Sequence, residues 1–60
     1  MRATPCITVR TELCWHIPTI HWMHCRIECG HYTRRSDAIR GAVRALRRIG
    51  YKGEYEISII

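Results

Sequence analysis

The sequence contains no phenylalanine, a single lysine (Lys52) and a single aspartate (Asp37), and it has no long hydrophobic segment. No stretch approaches the ~20 consecutive apolar residues that cross a bilayer, so no membrane span is expected. Glycine-rich phosphate loops, paired-carboxylate sites and paired Cys-x-x-Cys motifs are also missing. A chain of 60 residues has room for one helix on a small sheet, but little room for an enclosed active site. We therefore expect one non-enzymatic domain, residues 1–60.

Arginine is the residue in excess. Nine of the ten basic residues are Arg, against five acidic residues, which leaves a net charge of +5 with neutral histidines. The planar guanidinium group suits phosphate and carboxylate partners. This composition predicts an anionic partner, either nucleic acid or an acidic protein surface.

The first ten residues lack an apolar core followed by a small-residue cleavage site. We therefore expect no signal peptide and a cytoplasmic location. In a reducing compartment, the four cysteines are expected to be thiols or metal ligands and not a disulfide framework.

Residues 36–50 show the clearest periodicity in the chain. Ile39, Val43, Leu46 and Ile49 recur on one face of a helix, together with Ala42, and they are expected to fill the core. Ser36 is the expected N-cap, Asp37 lies in the first turn, and Gly50 can take the left-handed position after the helix.

Two alternating segments predict a hairpin. Residues 6–15 and 21–32 alternate between apolar and polar positions, and residues 16–20, which contain Pro18, are expected to form the turn. This arrangement pairs Leu13 with Met23 and Val9 with Ile27. A third strand is expected over residues 54–60, antiparallel to the first. The predicted fold is α+β: a ββαβ chain with a three-stranded antiparallel sheet of order 2-1-3 and one amphipathic helix on one face.

The predicted register places the cysteines and the exposed side chains. Cys25 and Cys29 point inward, where thiols behave as small hydrophobic groups, and Cys6 and Cys14 point outward. The open face of the sheet is expected to carry Arg10, Trp22, His24 and Arg26.

Zinc is a lesser alternative. On a strand, Cys25 and Cys29 lie roughly 13 Å apart, too far for two thiolates of one zinc ion. Cys14, His16 and His24, with His21 nearby, are better candidates because they lie at one end of the hairpin. The alternative to a zinc site is an exposed thiol beside surface histidines, and no cofactor is predicted.

Basic residues along the helix are the most coherent functional feature. The helix contains no glutamate to pair with them, and Arg40–Arg44 and Arg44–Arg48 are like-charge pairs at i,i+4, which cost a few tenths of a kcal/mol each. A solvated face is the alternative, but unpaired repulsion favours an anionic ligand. The predicted binding residues are Arg34, Arg35, Arg40, Arg44, Arg47, Arg48 and Lys52, with Trp22 and Arg26 on the sheet.

Trp22 has two interpretations. A nucleic-acid base could stack on an exposed tryptophan of a sheet. A protein–protein contact is the alternative, and a small sheet with two open edges is also a candidate for a homodimer.

The order of the segments resembles small phage and prophage accessory proteins, including some anti-CRISPR inhibitors. Trp22 precedes a strand that leads into the helix start Ser36, Ala38 and Ile39, and Ala42 follows one turn later. The resemblance implies a sheet-plus-helix protein that acts by occupying a surface, and it carries over no site residue.

Two function classes follow. The first is a small basic accessory protein that binds nucleic acid through the arginines of the helix. The second is a protein-binding inhibitor or modulator of a nucleic-acid-processing or defence complex, whose arginines meet an acidic surface. A small zinc-binding module is a third possibility.

Overall fold

The computed structural model describes residues 4–60 as four β-strands and one α-helix in the order βββαβ. The strands are β1 (Cys6–Glu12), β2 (Trp15–Trp22), β3 (Cys25–Glu28) and β4 (Glu56–Ile59), and the helix α1 spans Arg35–Arg48. They form one mixed sheet of order β3-β2-β1-β4, in which β1 is antiparallel to β2 and parallel to β4. The predicted α+β class is confirmed, whereas the predicted three-stranded antiparallel sheet of order 2-1-3 is wrong.

Two tight hairpins replace the single predicted one. The two-residue turns 13–14 and 23–24 join β1 to β2 and β2 to β3. Leu13, Met23 and His24 have φ angles of 58°, 51° and 63°, in the left-handed region that such turns use and that Gly and Asn usually supply. Because neither turn contains those residues, the sequence carries no turn signal there. The predicted pairing of Leu13 with Met23 is therefore wrong, since each lies in a turn.

Pro18, predicted to mark a turn, lies within β2. It is buried and stands opposite Val9 of β1. The Cys29 amide donates to the Pro18 carbonyl at 2.9 Å, so the proline nitrogen also faces the β3 side. A proline nitrogen has no hydrogen to donate in return, and the β3 pairing ends at Glu28. The missing donor is therefore tolerated because it falls where the ladder stops.

The chain pairs once more with β2 after a bulge. His16 and Tyr32 exchange backbone hydrogen bonds of 2.7 and 2.9 Å. One residue separates Pro18 from His16, but two separate Cys29 from Tyr32, so an extra residue lies on the second segment. Gly30 has a φ of 93°, a conformation that costs glycine little. The bulge redirects the chain so that Tyr32 packs against α1.

The extra strand also explains the direction of β4. A crossover helix returns the chain to a strand that runs in the same direction as the one before the helix. With three strands before α1 instead of two, that direction is the direction of β1. As a result, β4 pairs parallel to β1, with Ile57 opposite Ile7.

The core lies between α1 and the two central strands. α1 packs on β1 and β2, and the predicted core position Leu46 is buried. Ile39 and Val43 are only half-buried, and Ile49 is 50% exposed, so the helix is rotated from the predicted orientation. Small alanines face the sheet and allow close approach. The fully buried cluster is Ile7, Val9, Ile20, Ala38, Ala42 and Leu46.

The two ends of α1 compare differently with prediction. The N-cap is Arg34, without a side-chain capping bond, and Ser36 lies inside the helix, so the predicted N-cap is wrong. At the other end, Gly50 has a φ of 100°, and its amide donates to Arg47 O while the Tyr51 amide donates to Leu46 O, both at 3.1 Å. This is a Schellman motif, and the predicted role of Gly50 is confirmed. No helix within residues 4–60 is long and apolar enough to cross a membrane.

Candidate anion-binding surface

α1 presents four arginines on the side opposite the core. At about 100° per residue, they fall within an arc of about 100° whose middle is opposite the buried Ala42. All four are exposed. We define the arginine face as Arg40, Arg44, Arg47 and Arg48.

The arginine face forms no ion pair with an acidic residue among residues 4–60. In the part of the chain that the structure describes, both ion pairs belong to Arg10, which reaches Glu12 at 3.2 Å and Glu28 at 3.7 Å. No carboxylate of residues 4–60 lies within 4.0 Å of an arginine-face guanidinium. Arg47 donates to the Tyr51 carbonyl at 3.5 Å, which leaves its charge unneutralised. Within residues 4–60, no ion pair therefore neutralises the charges of the arginine face.

Other basic residues lengthen this positive surface. Arg34 and Arg35 lie at the start of α1, Lys52 follows its end, and all three are exposed. The helix has 14 residues and is therefore about 21 Å long. Seven of the nine predicted binding residues thus lie on or beside α1.

The remaining two predicted binding residues lie elsewhere. Arg26 pairs opposite His21 and lies with Arg10 on the sheet face away from α1, as expected. Trp22 was expected there too, but it lies on the helix side, packed against the core, with its ring centroid 4.9 Å from that of Tyr51. That expected position is wrong because the true register shifts β2 relative to the predicted turn. His24, also expected on the open face, lies in a turn.

The three candidate zinc ligands are not brought together. Cys14 and His24 lie in the turns at opposite ends of β2, whose eight residues span roughly 26 Å. The His16 ring bonds through Nδ1 to Thr11 Oγ1 at 3.1 Å. Within residues 4–60, no group of three His, Cys, Asp or Glu side chains is placed to hold a metal ion. The predicted cluster at one end of a hairpin is therefore wrong.

Cysteine burial follows the reach of the helix. All four cysteines are free thiols. Cys29 is half-buried beside the core, as predicted, and burial raises the pKa of its thiol. Cys25 was also expected in the core, but it is exposed, because α1 covers β1 and β2 and does not reach β3.

Tyr32 and Gly41 form a contact that the sequence interpretation missed. A Cβ atom on Gly41 would lie 2.6 Å from Tyr32 Cζ, so the ring rests directly on the helix backbone. A glycine in the middle of a strong helical pattern was the available signal, since such a glycine often marks a close approach.

A groove of about 410 Å³ runs beside Tyr32, between α1 and β3. Its floor is mostly apolar, and arginines of the arginine face form its outer wall. We call it the β3 groove. It is lined by Ile27, Glu28, Cys29, Tyr32, Gly41, Ala45 and Ile49, with Arg44 and Arg48.

Searches against protein-family models, curated proteins and solved structures found no match to this chain.

Proposed function

We propose that this protein is a small, non-enzymatic basic protein that binds nucleic acid through the arginine face. One observation carries the proposal: the four arginines are exposed on one side of α1 with no carboxylate of residues 4–60 within 4.0 Å. Like charges at i,i+4 destabilise the free helix slightly. A phosphate backbone would relieve that repulsion and accept charge-assisted hydrogen bonds from each guanidinium.

The chemistry favours backbone contacts over base readout. Arginines along one helix face can follow successive phosphates, which position a protein without reading sequence. If the four arginines each neutralise one phosphate of a duplex, the logarithm of the binding constant falls with the logarithm of salt concentration at a slope of about −3.6. We therefore expect steep salt dependence and weak sequence preference.

The test is a fluorescence-anisotropy titration with random duplex and single-stranded DNA across a salt series. The double variant Arg40→Gln with Arg47→Gln is expected to lower affinity for DNA and to reduce the salt slope by about 2. The matched control is Arg10→Gln with Arg26→Gln, which removes the same charge from the opposite face of the sheet. It is expected to leave most of the affinity and the slope intact.

Equal losses in the two double variants would indicate attraction by net charge alone, and they would contradict the arginine face as the site. Absence of binding at about 50 mM salt would contradict nucleic-acid binding altogether. In that case the better proposal is the second class, a protein-binding inhibitor or modulator whose arginines meet an acidic surface. A role as a phage or mobile-element accessory factor is compatible with either result and stays a prediction.

A further inference from the structure

β3 is an open edge of the sheet, and its hydrogen bonds identify the groups that face outward. The Cys29 amide donates to the Pro18 carbonyl of β2. In an antiparallel ladder, residues whose backbone groups bond to the neighbouring strand alternate with residues whose backbone groups point away from it. Arg26 and Glu28 are the alternate residues. Their backbone N–H and C=O groups have no backbone partner in residues 4–60. They form a template to which another extended chain can add.

The β3 groove lies on the helix side of this edge. Ile27 on its floor is 40% exposed and Ile49 at one end is 50% exposed. Arg44 and Arg48 stand on the opposite wall, and no carboxylate of the described residues lies within 4.0 Å of them. The carboxylate of Glu28 does not neutralise them, because it pairs with Arg10 on the other face of the sheet. An occupant of the groove therefore needs an apolar part for the floor and anionic groups for the wall.

The spacing of the wall matches an extended chain. Arg44 and Arg48 of the wall are i,i+4 positions, which lie about 6 Å apart along the helix. Side chains on one side of a β-strand repeat every ~6.6 Å. A strand alongside β3 that carries acidic side chains at alternate positions would therefore place one carboxylate near Arg44 and the next near Arg48.

The geometry points to a protein partner: the β3 groove binds an extended acidic segment that adds to β3 as a fifth strand. The segment bonds to the outward backbone groups of Arg26 and Glu28. Glutamates at alternate positions lay their methylene groups on Ile27 and direct their carboxylates to Arg44 and Arg48. This is β-strand addition, in which backbone bonds supply affinity and side-chain sites supply specificity.

Other occupants fit less well. A nucleic acid can pair its phosphates with the arginines, but it has no peptide backbone to bond with the edge of β3. A second copy could pair through the outer edge of its β4, whose helix-side residues Ile57 and Ile59 are apolar. Those residues would cover the floor and leave Arg44 and Arg48 unpaired. An acidic segment is the occupant that satisfies the edge, the floor and the wall together.

The test is an NMR titration of ¹⁵N-labelled protein at low salt. The added peptide is an octapeptide with capped ends in which threonine and glutamate alternate. Two control peptides separate the contributions. One has the same composition with its glutamates in one block, and the other is N-methylated on one edge so that it keeps its charge but loses its backbone donors. The alternating peptide is expected to bind at least about tenfold more tightly than either control and to shift the amide signals of Arg26 and Glu28.

Two protein variants test the edge directly. Glu28→Pro removes an outward-facing donor and leaves the β2–β3 bonds in place, and proline is tolerated at such edge positions. It is expected to weaken peptide binding about tenfold, whereas Ile59→Pro at the β4 edge is expected to change it little. Spectra of the free variants show whether each is folded. The double variant Arg44→Gln with Arg48→Gln removes the charges of the wall and leaves the backbone groups of the β3 edge unchanged. It is also expected to weaken peptide binding.

Three results would overturn the inference. One is equal affinity for the alternating peptide, the peptide with its glutamates in one block and the N-methylated peptide, which would mean attraction by charge alone. Another is no binding of the alternating peptide at low salt. The third is concentration-dependent self-association that shifts the β3 amide signals, which would assign this edge to a second copy of the chain. None of these depends on whether nucleic acid binds to the arginine face.

Discussion

The hydroxyl end of the Tyr32 ring lies so close to α1 that Gly41 has no room for a side chain: an added Cβ would be 2.6 Å from Tyr32 Cζ. The backbone of Tyr32 is held by two hydrogen bonds with the backbone of His16. The pair therefore joins the bulged segment after β3 to the middle of the helix, and it borders the β3 groove.

Gly41→Ala is expected to destabilise the protein by about 1 kcal/mol, although alanine normally stabilises a helix interior by about that amount. The methyl group would displace the Tyr32 ring from the core. Urea denaturation of the wild-type protein and of Gly41→Ala measures the change in the free energy of unfolding. In a Tyr32→Ala background the same change should instead stabilise, and a gain in the wild-type background would contradict the close contact.

Arg44→Glu is expected to stabilise the free protein by about 0.5–1 kcal/mol while abolishing nucleic-acid binding. It replaces two like-charge i,i+4 pairs, with Arg40 and Arg48, by two attractive ones. Thermal or urea unfolding and DNA titration give the two readouts. Arg26→Glu on the other face of the sheet makes the same charge change and should weaken DNA binding much less. A loss of stability in Arg44→Glu would mean that the arginine makes a favourable contact in the free protein.

The turn at residues 23–24 is expected to be a site of easy stabilisation. Met23 and His24 both have positive φ, at 51° and 63°, and such residues cost roughly 1 kcal/mol each when they are not Gly or Asn. Met23→Asn with His24→Gly should therefore raise the free energy of unfolding by about 1–2 kcal/mol. As a control, Thr33→Gly at an exposed position without a positive φ should lower it. The hypothesis fails if the turn variant and the Thr33→Gly control change the free energy of unfolding in the same direction.

Cys29 is expected to react with iodoacetamide more slowly than Cys25 near neutral pH. Burial raises the pKa of the Cys29 thiol, and only the thiolate is nucleophilic. Mass spectrometry of samples alkylated over a pH series measures both sites. Equal rates at all pH values would show that Cys29 is as open to solvent as Cys25.

The same shift gives stability a pH dependence at the alkaline end. The Cys29 thiol loses its proton at lower pH in the unfolded chain than in the folded protein, because its folded-state pKa is raised by burial. Its contribution is therefore complete below the ordinary thiol pKa and is lost as the pH rises through the folded-state value. Cys29→Ala should reduce this alkaline loss in urea denaturation.

The helix was the most predictable element, for a local reason. Its apolar period, the C-terminal role of Gly50 and the exposure of the arginine face all depend on residues within a few positions of each other. Its rotation was less predictable. Ile39 and Val43 outrank alanine in hydrophobicity, but the sheet accepts Ala38 and Ala42 at its centre because small side chains let the backbones approach.

The sheet was harder to predict because its turns carry misleading chemistry. Leu13, Met23 and His24 occupy left-handed positions without the usual turn residues, while Pro18, normally a mark of a turn, lies in a buried strand. One added strand then reversed β4, moved Trp22 to the helix side and separated Cys14 from His24 along the length of β2. The β3 groove follows from this arrangement and had no counterpart in the predicted fold.

The amino-acid sequence is sufficient to specify an α+β chain with one arginine-rich amphipathic helix, since charge, period and capping are properties of short segments. Pairing between distant residues specified the rest. The register of β2 and the bulge at Gly30 set which edge is free, where Tyr32 meets Gly41, and which arginines face a groove. These features depend on hydrogen bonds across the sheet, and no short segment of the chain encodes them.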